Sequence, residues 1–531
     1  MKPQITQYLL PDELDLEGLE SLLKANHRFL AEPPKRAEQR YYDSFDWRIW
    51  QAGAELVYQP QADAGRLCWL KRQDELGADH SNSAPPSSHN GACLPVEEPP
   101  VTADRLPVGA LRKRLARALE MRVLLPLVMV QQQQRILRLL NEEEKTVLRL
   151  ELQVNRFAFP DKKHQGELPG RLVLHPLKGY DRAFLRMQAD LAEMGLRPVS
   201  ESLFVSALNG IGRHPLDYSS KLNYRLDPQA RSDVTAKQIL LSLLQTLEAN
   251  IAGTKANLDS EFLHDLRVAT RRTRSAMSQI KGVFDPQELE PFRGEFAWLG
   301  QITGPTRDMD VYLLSFPAYR EALPTALQPD LEPFHDFLLT HHRQAQKELV
   351  KKLNSARFRR LLESWREWLE APTANISFQP NAIQPIHRLA SQRIYKVYRR
   401  VLKDGKAVKP DSAPDVLHEL RKDCKKLRYL MEFFSSLYPK GEIQGLIKQL
   451  KILLDNLGDF QDLQVQAEAI EAFGEEMLKE GAPARALMAM GVLVGNLLAR
   501  QERAREKFAE LFASFNAKEN RVAFESLFRG E

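Results

Sequence analysis

The chain has little cysteine, no long apolar run and no large excess of charge of either sign. Its three cysteines, Cys68, Cys93 and Cys424, stand at spacings that match no metal-ligand or redox motif. They predict no disulfide framework, no bound metal and a reducing compartment. No stretch approaches the ~18 uninterrupted apolar residues of a membrane-spanning helix. LLPLVMV at 124–130 is too short and reads as a buried strand. The opening MKPQITQYLLPDELDLEGLE has no basic-then-apolar leader. Together these absences predict a cytoplasmic protein without membrane contact. Net charge is only +5, so any strongly basic surface must be local.

What is present is an ordinary globular composition, 43% hydrophobic and 27% charged, in a length that suits two or three domains. Residues 1–215 carry alternating and β-rich runs, among them RYYDSFDWRIWQAGAELVYQ, GRLCWLKRQ, KTVLRLELQVNRFAF and GRLVLHPL, which predict antiparallel strands. A helix is expected at about 181–195, stopped by Gly195 and Pro198. Residues 76–107 are rich in Ser, Pro, Ala and Gly and predict an insertion without regular structure. Breaks at 209–232 and 405–415 leave two helical segments, 230–404 and 416–515.

Residues 262–277, FLHDLRVATRRTRSAM, read as a helix that Asp259 or Ser260 could cap. At ~100° per residue, His264, Arg267, Arg271 and Arg274 share an arc of roughly 80°. Phe262, Leu263, Leu266, Thr270, Thr273, Met277 and Ile280 fall on the other side. A solvated helix face usually mixes acids with bases at i,i+4. This arc holds no acid. The arrangement then recurs in VLHELRKDCKKLRYLM at 416–431. A shift of 154 places (264 to 418) aligns His264 with His418, Arg267 with Arg421 and Arg271 with Lys425. It also aligns Arg272 with Lys426 and Arg274 with Arg428. The register continues through GPTRDMDV and GDFQDLQV, matching Gly304 with Gly458 and Asp308 with Asp462. This is an internal duplication, and two basic faces about a pseudo-twofold axis could flank one groove.

The paired H-x-L-R motifs, each followed by R/K-R/K-x-R, resemble the CHAD family over roughly 230–515. The resemblance implies two pseudo-symmetric antiparallel helical bundles and a basic surface that binds inorganic polyphosphate, with polyphosphate granules as a place of residence. The role would fall on His264, Arg267, Arg271, Arg274, His418, Arg421, Lys425 and Arg428, with Arg272 and Lys426 at the margin. The chemistry agrees. A flexible polyanion with no bases to read needs a row of cations and donors; arginine forks grip phosphate oxygens in pairs, and lysine acts as a point charge.

YYDSFDWRIWQAGAELVYQ and GLRPVSESLFVSAL resemble segments of CYTH domains, the triphosphate tunnel enzymes, over most of 1–210. That implies an α+β domain with an antiparallel β tunnel or barrel. CYTH enzymes open with Glu-x-Glu-x-Lys, whereas the aligned residues here are Gln4, Thr6 and Tyr8. Tyr58 and Gln59 stand where arginines would be, and RLVLHPL lacks the expected carboxylates. Lys71, Arg72, Arg149, Glu151 and Arg171 remain, too few to fix a divalent cation and neutralise developing charge. The expectation is a degenerate tunnel fold with no catalytic residues, cofactor or metal. Two alternatives stay open: an inorganic triphosphatase using that tunnel, and a nucleic-acid or protein scaffold on the same basic surface. Arg307, Arg393, Lys396, Arg399 and Arg400 could extend the phosphate surface, and RIYKVYRR, basic with interleaved Tyr, is the segment that would suit RNA. No recognition module supports nucleic acid, which is the less favoured partner. His341-His342 lacks the partners of a metal site, and Asp308 and Asp462 read as residues that orient arginines rather than as bases.

Overall fold

The computed structural model describes residues 5–11, 15–61, 64–72, 92–161, 163–374 and 377–529. Gln4 and residues 76–91 of the expected insertion lie outside them. The chain forms two compact units, Met1–Ser219 and Ser220–Glu531.

The first unit contains, in chain order, β1 (Thr6–Leu9), α1 (Leu16–Asn26), β2 (Phe29–Ala31), β3 (Lys35–Asp43), α2 (Arg48–Gln51), β4 (Ala54–Gln59), β5 (Gly65–Lys71) and β6 (Ala92–Val96). There follow α3 (Ala110–Leu119), β7 (Leu125–Leu140), β8 (Thr146–Ala158), β9 (Gln165–Pro176), α4 (Asp181–Glu193), β10 (Pro198–Val199) and α5 (Leu203–Asn209). The strands make one sheet in the order β10-β1-β9-β8-β7-β3-β4-β5-β6, with β2 also on β7. Every pairing between these strands is antiparallel, as the period-2 runs predict. Alternation gives β1, β7, β8 and β9 one apolar face. Tyr8, Leu137, Leu150, Leu172 and Leu174 bury it against Leu19 and Leu23 of α1 and Phe184, Met187 and Leu191 of α4.

Two expectations fail here. Residues 92–107 are structured: β6 pairs with β5 from Gly65↔Val96 to Trp69↔Ala92, and Ala103–Arg105 is a 3-10 turn. The register sets Cys68 opposite Cys93, and the two form a disulfide. The prediction of no disulfide is overturned. Spacing could not reveal a bond created by strand pairing across 25 residues. Cys424 is free and buried.

The second unit is helical: α6 (Ser232–Ala256), α7 (Ser260–Gln279), α8 (Pro286–Ile302), α9 (Gly304–Glu321), α10 (Glu332–Leu353), α11 (Ala356–Glu370), α12 (Ile386–Ala407), α13 (Pro414–Phe433), α14 (Lys440–Lys479), α15 (Ala484–Phe515) and α16 (Lys518–Phe528). The duplication is visible in the helix starts: 232 and 386, 260 and 414, 286 and 440 each differ by the same 154 places. In the first repeat, Gly304-Pro305 separates α8 from α9. Pro305 lacks the N–H that would continue the helix. In the second repeat, Gly458-Asp459 lets the chain run on as one 40-residue helix, α14. The cores do not divide by repeat. One buried cluster draws on α6, α7 and α8 together with α12, α13 and the first half of α14. The other joins α9 and α10 to the second half of α14 and the first half of α15.

Candidate functional site

Asp259 caps α7, its carboxylate accepting from the Glu261 and Phe262 N–H groups, which fixes where the basic helix starts. The apolar side packs as its spacing predicts: Phe262, Leu263, Leu266, Thr270, Thr273, Met277 and Ile280 are all buried. That burial holds the opposite face outward. α7 packs on its counterpart α13, so the two basic helices are neighbours.

The ten predicted residues then separate by their partners. Arg267 donates to the Gly300 carbonyl at 3.1 Å and to Thr303 Oγ1 at 2.9 Å. Arg421 pairs with Asp462 at 2.9 Å, Lys426 with Asp423 at 2.7 Å and Arg428 with Glu432 at 2.7 Å. Arg272 reaches the same Glu432 at 3.0 Å and the Ser220 carbonyl at 2.8 Å, so Glu432 bridges the repeats. His418 Nδ1 lies 2.8 Å from Gln461 Oε1, and His264 is half-buried. Arg271, Arg274 and Lys425 have no carboxylate partner among the described residues. Arg271 and Arg274 are exposed.

These cations share one field. Burial pulls the Lys425 ammonium down to about 8, and Arg421 of its own repeat and Arg271 of the other lower it further. Burial likewise lowers Arg267, with Arg271 and Arg307 adding to the effect and Asp308 opposing it. Burial raises the Asp308 carboxyl against the pull of Arg267 and Arg307. Asp462 orients an arginine directly and Asp308 faces one electrostatically, as their matched places predict.

A cleft of about 290 Å³ opens on the first repeat, lined by Arg267, Thr270, Arg271, Arg274, Ala297, Gly300 and Gln301. Sequence reading missed its α8 wall. The available signal was Gly300 and Gly304 one turn apart: a Cβ on Gly300 would stand 3.4 Å from Arg274 Nη1, and one on Gly304 3.7 Å from Arg267 Nη1. Gly458 stands in the same relation, 3.7 Å, to Arg421 Nη2. Glu432, also missed, sits one turn after Arg428.

Several secondary candidates are tied into the fold, whereas Lys396, Arg399 and Arg400 are exposed. Arg393 donates to the Gln279 carbonyl and Arg307 to the Ser260 carbonyl. Tyr398 of RIYKVYRR is buried and stacked on Phe524, so it offers no face to a base. His341 contacts the Phe337 carbonyl and Glu476, while His342 contacts Asp310. No group of three or more His, Cys, Asp or Glu could share a metal among the described residues.

In the sheet unit, the polar face is not the one that the sequence alignment assigned. Thr6 and Tyr8 point to the α4 side: Thr6 Oγ1 accepts from Gln188, and Tyr8 is in the apolar core. Gln7 faces the polar side, where its Oε1 accepts from Arg171 at 2.9 Å. Arg171 also donates to the Glu201 carbonyl at 2.7 Å and Ser206 Oγ at 2.6 Å. Glu151 is held by His175 at 2.9 Å and Gln153 at 2.8 Å. Burial opposes its charge, but those hydrogen bonds prevail and keep its carboxyl below the usual glutamate range.

Residues 238–471 match the CHAD domain family model. An uncharacterized protein of Mycobacterium tuberculosis, Rv2226, is 28% identical over 221 residues, 39% of each chain. The chain thus spans about two fifths of the length of the curated relatives it matches. The crystal structure of the CHAD domain from the plant Ricinus communis is 23% identical with a TM-score of 0.48, covering 56% of this chain and 95% of that one. PptA from Streptomyces chartreusis is 16% identical with a TM-score of 0.42, covering 53% and 99%. HpAC1 from Hippeastrum, described with a dominant triphosphatase activity, is 14% identical with a TM-score of 0.27, covering 40% and 99%. No described helix is long and apolar enough to cross a membrane.

Proposed function

We propose that this protein, whose residues 238–471 form a CHAD domain, binds inorganic polyphosphate along α7 and α13 without hydrolysing it. The observation that supports this reading is the set Arg271, Arg274 and Lys425, cations set close together that make no ion pair with a carboxylate among the described residues. Mutual repulsion and partial burial cost stability. A polyanion offsets both, replacing water with charge-assisted hydrogen bonds worth ~1.5–3 kcal/mol each. Binding without chemistry fits the sheet unit. Arg171 spends both terminal nitrogens on internal acceptors, and Glu151 is held by His175 and Gln153. Residence on polyphosphate granules would follow from such binding.

The test is a calorimetric titration of the full chain with long-chain polyphosphate and with tripolyphosphate, run beside a phosphate-release assay in Mg²⁺ and Mn²⁺. Expected are tight binding that weakens steeply with salt, as counterion release requires, and no phosphate release. Metal-dependent release from tripolyphosphate, lost in Glu151→Gln, would establish the triphosphatase instead. Equal competition by RNA would favour the nucleic-acid scaffold.

A further inference from the structure

The two repeats carry the same motif but are not equivalent sites. In the first, α8 gives Ala297, Gly300 and Gln301 to the cleft wall, and Arg271 and Arg274 stand over it without a carboxylate. The same 154-place shift (300 to 454) puts Lys451, Leu454 and Asp455 at the matching places of α14. Leu454 is 5% exposed and packs into the core, whereas Gly300, with no side chain, lies under the Arg274 guanidinium and lines the cleft. The cations follow this division. Arg421 is neutralised by Asp462 and Arg428 by Glu432. Their counterparts Arg267 and Arg274 make no ion pair among the described residues, and neither does Arg271 nor its counterpart Lys425. Arg267 is braced by uncharged acceptors, the Gly300 carbonyl and Thr303, and Asp308 offsets its charge only electrostatically, without a direct ion pair.

From this we infer that the cleft over Gly300 is a preformed anchoring subsite for a short stretch of phosphate groups, and that the second repeat is a latent extension engaged only by longer chains. This rests on the polyphosphate reading above and adds an order of engagement to it. A short oligophosphate meets two guanidinium groups that make no ion pair, Arg271 and Arg274, beside Arg267, which Asp308 offsets without a direct ion pair. In the second only Lys425 stands without an ion pair, and both arginines must first leave carboxylates already in place. A long chain fills the cleft first, and its free end then reaches Arg421 and Arg428 at high effective concentration. It displaces Asp462 and Glu432 only then.

The experiment uses the full chain and two probes, tripolyphosphate and long-chain polyphosphate, at fixed low salt. Gly300→Leu copies the second repeat's occupant into the cleft without changing charge. Arg271→Gln with Arg274→Gln removes the guanidiniums and serves if the leucine variant does not fold. Arg421→Gln with Arg428→Gln removes the matching cations of the second repeat. The cleft variants should lose at least about 10-fold in tripolyphosphate affinity, the loss expected from one charge-assisted hydrogen bond. The second-repeat variant should lose less than about 3-fold for that probe but clearly more for the long chain. Asp462→Asn, which frees Arg421, should tighten the long chain alone. Equal loss of tripolyphosphate from both repeats overturns the inference while leaving polyphosphate binding intact. No binding of either probe by the unaltered protein sinks the functional reading and this inference with it.

Discussion

Arg171 of the sheet unit can be set beside Arg271 and Arg274 of the helical unit. Arg171 is 1% exposed, with its two terminal nitrogens bonded to Gln7, the Glu201 carbonyl and Ser206. Arg271 and Arg274 are exposed, with no carboxylate partner among the described residues. An arginine whose donors are consumed inside the fold holds structure together. One that the fold keeps extended but unpaired costs repulsion, and that cost is recovered only when an anion arrives. Residue type is the same in both; what separates the roles is whether the surrounding chain supplies acceptors.

The comparison breaks most visibly at Arg171. Arg171→Met leaves three acceptors of a buried network unpaired, at about 1–3 kcal/mol each, and should cost on the order of 3–5 kcal/mol in all. Differential scanning calorimetry should show the sheet unit melting earlier, with polyphosphate affinity unchanged within about 2-fold. A weakened affinity at an unchanged melting temperature would reverse the roles assigned to the two units. Next comes the Cys68–Cys93 disulfide, which closes a loop of 25 residues. Loop-closure entropy gives it about 3 kcal/mol. Cys68→Ser with Cys93→Ser should lower the same transition and leave the helical unit's melting in place. A shift in the helical transition instead would tie the disulfide to the binding half.

The smallest effect sharpens the other side. Lys425 has its ammonium pKa pulled from the ordinary lysine value to about 8. Between about 8 and that ordinary value the unfolded chain holds a proton that the folded chain has released. Stability should therefore rise with pH across that window, by on the order of 1 kcal/mol after allowing for solvent screening. Urea melts should show the rise in the unaltered protein and lose it in Lys425→Met. A bound polyanion favours the charged ammonium, so binding near pH 8 should take up protons and weaken as pH climbs. Titrations in buffers of different ionisation enthalpy measure that uptake; uptake that persists in Lys425→Met assigns it to another group.

The helical half was readable because its signals are local and stated twice. The Asp259 cap, the buried stripe from Phe262 to Ile280 and the 154-place register (264 to 418) all lie along single helices. What escaped depends on residues brought together from a distance. β6 sits within a Ser- and Pro-rich stretch, and only pairing with β5 makes it a strand. Tyr8 looked like a tunnel residue until the register with Leu172 placed it in the core, since one step along a strand exchanges the faces. Glycine at 300 says little by itself; its meaning comes from Arg274 lying over it. The division of the ten cations into paired and unpaired was legible only in part. The i,i+4 spacing of Arg428 and Glu432 announces one pair, but Arg421 meets Asp462 across two helices.

α14 runs 40 residues, about 60 Å at the α-helical rise, and buries side chains in both helical cores. It acts as a keel. The basic helices α7 and α13 are fixed more directly, since both bury their apolar sides in one of those cores and pack on each other, so the spacing between the basic stripes is the same before and after a guest arrives. The accommodation falls to the polymer, which must give up its own freedom to lie along a ruler that does not bend. Capture should therefore proceed by encounter followed by zippering, phosphate by phosphate, with no slow closing step in the protein.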